Sequence, residues 1–160
     1  VFQKGVEVPI EKYFFYSSDE DMDGYTVTVL DADLVPAEEF LQGYDAGDQA
    51  ELLGNFTDYI YVVRVSIANQ YNPFVDEKGI DAGGYYLIGT DYILGLDDTC
   101  YYLANPDMPG TTFSLQQESS MELILPFTVM SDLTSHKHIL EDPPKLQITL
   151  YPSKKLIELY

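Results

Sequence analysis

Apolar side chains alternating with period two over twelve residues restrict the folds open to this chain more than any other feature. The segment is Asp58–Asn69, DYIYVVRVSIAN. In a pleated strand successive side chains point to opposite faces. Tyr59, Tyr61, Val63, Val65 and Ile67 therefore share one face, and Ile60, Val62, Arg64, Ser66 and Ala68 the other. Both faces are mostly apolar or small, which places this strand centrally in its sheet.

The same alternation marks Tyr25–Leu30, with Tyr25, Val27 and Val29 inward, and Met121–Val129, with Met121, Leu123, Leu125, Phe127 and Val129 on one side. Pro126 has no N–H for a ladder, so its strand lies at an edge or bulges there. Lys145–Tyr151 alternates too, and Lys154–Tyr160 follows the turn Tyr151-Pro152-Ser153. Shorter strands are expected at Val6–Val8, Tyr13–Tyr16, Tyr85–Ile88, Tyr92–Leu96, Cys100–Leu103 and Thr112–Leu115. Roughly eight to ten short strands punctuated by Gly, Pro, Asn and Asp predict an all-β fold, an antiparallel β-sandwich of immunoglobulin-like type.

Helix signals are few. Pro36–Leu41 has proline at a first helical position and acids in the first turn, both favourable to a helix N-terminus. Asp48–Gly54 has an N-cap, an acid three residues on and a terminal glycine. Both are expected as short helical turns in one crossover connection carrying the chain from one sheet to the other. With 160 residues, the chain is expected to form a single domain over residues 1–160.

Composition removes several functions. A formal charge of −19, from 27 acids against 8 bases, repels phosphate backbones and anionic membranes, so nucleic acid is not an expected partner. The imbalance is local: residues 1–58 hold 14 acids against Lys4 and Lys12. A single cysteine excludes an internal disulfide and a thiolate zinc site. No apolar run reaches the roughly 20 residues of a membrane span.

One motif carries metal chemistry. Asp19-Glu20-Asp21-Met22-Asp23-Gly24 matches the D-x-D-x-D-G opening of a calcium loop, in which Asp19, Asp21 and Asp23 converge on one cation. Position twelve of that loop is Leu30 rather than a bidentate glutamate, and the competing reading is an acidic hairpin turn at Asp23-Gly24. No cofactor is expected beyond calcium at this loop.

The two histidines, in His136-Lys137-His138, would share a face in an extended segment and so form half of a metal site; with the nearest acids, Asp132, Glu141 and Asp142, in loop-like sequence and further ligands missing, a solvated loop or edge is the preferred reading. Cys100, among aromatic and apolar neighbours, reads as a small buried hydrophobe. Paired tyrosines at 59/61, 85/86 and 101/102 read as core and sheet-edge packing in preference to a recognition surface. No hydrolase, zincin, phosphate-loop or dinucleotide signature occurs, so no enzyme activity is expected.

The chain as a whole resembles a family. Gly24–Ala32 and Tyr59–Asn69, the Asn/Asp/Gly-rich stretch Gln70–Gly84, then Phe113-Ser114-Leu115, Leu123–Phe127 and Leu150–Leu159 are similar to uncharacterised bacterial lipoproteins with an immunoglobulin-like (telokin-like) domain. The resemblance implies an extracytoplasmic location at the cell surface of a Gram-positive bacterium. Membrane attachment would run only through an N-terminal lipid anchor missing from this chain, because Cys100 lies mid-domain; VFQKGVEVPI would then begin a trimmed mature chain.

No catalytic residue is carried over from that family. The function expected is a non-catalytic protein-binding or accessory module whose partner is an unknown protein or a cell-envelope glycan. The alternative is a calcium-dependent carbohydrate-binding module built on Asp19, Asp21 and Asp23.

Overall fold

The thirteen-residue strand Thr57–Asn69 is hydrogen-bonded along both sides. The computed structural model describes residues 1–10, 22–54, 57–73, 79–149 and 154–160, and among them ten strands occur. In chain order they are β1 (Val8–Pro9), β2 (Tyr25–Pro36), β3 (Thr57–Asn69), β4 (Ile80–Asp81), β5 (Tyr86–Ile88), β6 (Ile93–Gly95), β7 (Thr112–Phe113), β8 (Ser119–Met130), β9 (Lys145–Thr149) and β10 (Lys155–Glu158). The helices are α1 (Ala37–Gly43), α2 (Asp98–Ala104) and α3 (His136–Glu141). One sheet runs β1-β2-β3-β8, a second β10-β9-β5-β6, and β4 pairs with β7. Every pairing between these strands is antiparallel. The fold is all-β and sandwich-like.

The inner faces of both sheets supply one core. Val27, Val29, Val63, Val65, Ile67, Leu123, Leu125 and Phe127 from the first meet Leu87, Leu146 and Ile157 from the second, all fully buried. Each such side chain stabilises the fold by about 1.5–3 kcal/mol relative to exposure. The outer face of β3 is covered at one end only. There Ile60 is buried with Phe40 and Leu41 of α1 and Cys100 of α2 in a second cluster, while Arg64 stays exposed and meets Glu122 at 3.4 Å. This explains why both faces of Asp58–Asn69 look apolar in sequence.

Two expectations are corrected. The connection after β2, which holds α1 and a 3-10 turn at Ala50–Leu52, does not cross between sheets, since it returns the chain to β3 beside β2. Two long apolar strands gain more by pairing directly along their length than by facing each other across the core. Second, Cys100–Leu103 is helix and not strand. Asp97 caps α2 by accepting from the Cys100 N–H at 2.8 Å, and this cap, with burial of Cys100 and Tyr101, overrides the strand preference of Thr-Cys-Tyr-Tyr. The strand expected at Tyr13–Tyr16 falls outside the described residues.

The edges at β8, β6 and β10 have partners. Pro126 sits on edge strand β8, opposite Val62 of β3, and its carbonyl accepts from Asp97 N–H at 2.9 Å. In an antiparallel strand a residue's N–H and C=O point the same way, so the missing proline N–H faces outward, where the ladder does not need it. Two residues earlier, the Asn105 side chain accepts from Ile124 N–H at 3.0 Å and donates to Ile124 C=O at 2.8 Å. A side-chain amide thus stands in for a neighbouring strand. Leu96 bridges to Phe127, joining β6 to β8, and Phe2 bridges to Ile157, joining the N-terminal segment to β10.

Replacing Asn105 by alanine leaves the Ile124 N–H without this partner and should lower stability by about 1–3 kcal/mol. Urea unfolding should show a lower midpoint with unchanged slope; an unchanged midpoint would show that the amide contributes nothing.

Candidate functional site

The turn between β5 and β6 reads Gly89-Thr90-Asp91-Tyr92 and is closed by Gly89 N–H donating to Tyr92 C=O at 2.9 Å. The Tyr92 ring lies against Gly89. A Cβ there would come within 2.2 Å of the ring, so only glycine fits. The Tyr92 hydroxyl in turn donates to the Asp142 carbonyl, and the ring meets His138 edge-on at 5.6 Å.

The facing element is α3. Ser135 caps it by accepting from His138 N–H at 3.1 Å, and Asp142 ends it with its N–H on the His138 carbonyl. His138 and Asp142 are four residues apart, which puts them on one face of the helical turn. The Asp142 carboxylate accepts from Thr90 N–H at 2.7 Å and from the Thr90 hydroxyl at 2.9 Å, while His138 Nε2 lies 2.7 Å from Asp91 Oδ1. Ligand atoms of Asp91, His138 and Asp142 all fall within 4.8 Å of one another.

These contacts set the electrostatics. Asp91, hydrogen-bonded to the ring, raises the His138 pKa above 6.5, with Asp142 and Glu141 adding to the effect. Thr90, donating twice, lowers that of Asp142. Burial, then the neighbouring acids Asp142 and Asp91, pushes the Tyr92 hydroxyl up, so Tyr92 stays a neutral donor.

Beside this cluster lies a groove of about 500 Å³, lined by Asp91 to Leu96 on one side and Thr128, Met130, Leu133 and Thr134 on the other. Ile93 is 66% exposed at its rim and Leu133 76%. Within the lining, the buried Thr134 hydroxyl has no partner among the described residues.

Of the calcium-loop residues, Asp19 and Asp21 lie outside the described residues. Asp23 lies in the turn that leads into β2, where Gly24 has φ +99°; the other arm of the expected hairpin falls outside the described residues. The Asp23 carboxylate accepts from the Tyr71 hydroxyl at 2.9 Å and its carbonyl from Asn72 at 2.8 Å.

The histidines are not in a loop or edge. Ser135 caps a helix, so the pair diverges: His136 stacks on Tyr59 at 4.4 Å and only His138 joins the cluster. Cys100 is fully buried, and burial, reinforced by Asp97, holds its thiol protonated. Of the three tyrosine pairs, Tyr61, Tyr85 and Tyr101 are buried, whereas Tyr86 and Tyr102 are exposed and Tyr59 half-buried. Asp91 went unnoticed in sequence, because 47 residues separate it from His138.

A family model described as Domain of unknown function (DUF5028) matches residues 1–155, and the chain belongs to that family. No curated protein and no solved structure matches it.

Two outcomes are expected. Gly89→Ala should displace the Tyr92 ring and weaken thermal stability; an unchanged melting temperature with unshifted Tyr92 resonances would contradict this packing. By NMR, His138 should titrate above 6.5, and Asp91→Asn should bring it down toward that value. The sign follows from the raised pKa: the His138–Asp91 contribution to stability is full below the unfolded-state pKa and is lost as pH rises through the folded-state value. For Asp142, lowered in the fold, the contribution is present above the unfolded value and lost as pH falls through the folded one.

Proposed function

We propose that this chain is a non-catalytic binding module, held at the outer face of a Gram-positive membrane by a lipid anchor outside this sequence, that docks a protein partner in the groove between β6 and the end of β8. The observation that carries the reading is the pair Ile93 and Leu133, two large aliphatic side chains left mostly in water on either side of one groove. Apolar side chains gathered around a concavity with a polar rim mark interaction surfaces more often than isolated exposed ones do.

Charge selects the partner. Asp91 lines the groove on a molecule of net charge −19, so the complementary surface carries an aliphatic or aromatic anchor flanked by Lys or Arg. Opposite potentials of this kind speed encounter and fix register more than they add affinity. The extracytoplasmic location rests on the likeness of Gly24–Ala32 and Tyr59–Asn69 to lipoprotein domains. No helix among the described residues is long and apolar enough to cross a membrane.

Titrating the isotope-labelled chain with peptides that place one Leu or Phe between Lys and Arg residues tests this. Shifts should concentrate at Ile93, Leu94 and Leu133 and vanish in Leu133→Asp. Shifts elsewhere, or a response to cell-envelope oligosaccharides with none to the peptides, would overturn the reading.

A further inference from the structure

The geometry points to a divalent transition-metal site at Asp91, His138 and Asp142, with the donor set of a zinc centre that keeps one position open. This goes beyond the groove reading and does not depend on it.

Zinc takes imidazole nitrogen at about 2.0–2.1 Å and carboxylate oxygen at about 2.0–2.2 Å, nearly tetrahedrally. Ligands so placed stand about 3.3–3.5 Å apart. The three donor atoms here, all within 4.8 Å of one another, need only small side-chain movements to reach that spacing. The closest pair, His138 Nε2 and Asp91 Oδ1 at 2.7 Å, opens by about 0.6–0.8 Å as the ion replaces their shared proton.

Three features separate this cluster from an ordinary surface ion pair. Its members come from two elements locked together, a glycine-tight hairpin and a capped helix end, so the spacing does not rest on long flexible side chains. A second carboxylate, Asp142, is within the same sphere although the His138–Asp91 hydrogen bond does not require it. That carboxylate is oriented by both the N–H and the hydroxyl of Thr90, the outer-shell support that metal-ligating carboxylates typically have. Each Asp142 oxygen accepts one hydrogen bond from Thr90 and retains a lone pair for an ion. His136 supplies the contrast, since it is stacked flat on Tyr59 and is no part of the cluster.

The donor chemistry also selects the ion. Calcium takes six to eight oxygens, and three ligands including an imidazole do not provide them, whereas imidazole with carboxylates suits zinc and its neighbours in the first transition row.

The test uses the tag-free full chain, stripped with chelator, dialysed and titrated with zinc chloride by calorimetry. One equivalent should bind. His138→Ala and Asp91→Asn should each weaken it at least about tenfold, since even outer-shell losses cost 10–100-fold, and His136→Ala should leave it unchanged. In long-range proton–nitrogen spectra the His138 ring signals should move with zinc and those of His136 should not; millimolar calcium should move neither. Zinc binding that survives His138→Ala, or uptake spread over many weak equivalents with His138 unmoved, would overturn the assignment. Peptide titration without zinc scores the groove separately, so either reading can fail alone.

Discussion

Backbone pairing of β3 on both sides is the constraint on which the rest of the structure depends. A thirteen-residue strand with a neighbour on each side leaves few backbone groups to satisfy elsewhere, and so can be buried on both faces. Its inner face anchors the core through Val63, Val65 and Ile67, and its outer face at Ile60 gives α1 and α2 something to cover. Helices of seven residues are not stable in isolation. They exist because β3 offers an apolar surface, and α2 in return closes the edge of β8 through Asp97 and Asn105.

The candidate site is built on the other sheet. The β5–β6 hairpin is held by β9, through Tyr86 opposite Gln147 and Leu87 opposite Leu146, and β9 follows α3 directly. The two halves of the cluster, the Thr90–Tyr92 turn and the end of α3, are therefore tied to one short stretch of sheet. Tyr92 completes the clasp with its ring on His138 and its hydroxyl on the Asp142 carbonyl. Functional side chains on a turn are placed well only when the turn itself is rigid, and Gly89 beneath the Tyr92 ring makes it so.

The long strands were legible in sequence because burial on one face writes period-two alternation into the chain: Tyr25, Val27 and Val29, or Leu123, Leu125 and Phe127, are all buried as that period requires. Pro126 called for an edge strand or a bulge, and β8 is an edge strand. Local pattern failed where a cap or tertiary packing decided the outcome. Cys100–Leu103 has strand residues but takes a helical path under the Asp97 cap, and His136–His138 is helical because Ser135 precedes it. The candidate site was only partly legible. His138 and Asp142 were visible as neighbours in sequence, whereas Asp91 reaches them only through the pairing of β5 with β9, which no local spacing encodes.

Native-state amide hydrogen exchange measures this arrangement strand by strand. If β3 holds the fold together, the amides of Ile60 to Ile67 exchange only through global unfolding, at the free energy that denaturant unfolding gives. The Thr90 amide, held by Asp142, exchanges through a smaller opening confined to the hairpin and α3. Exchange of the β3 amides at a lower free energy than those of Leu146 to Ile148 would contradict the primacy of β3.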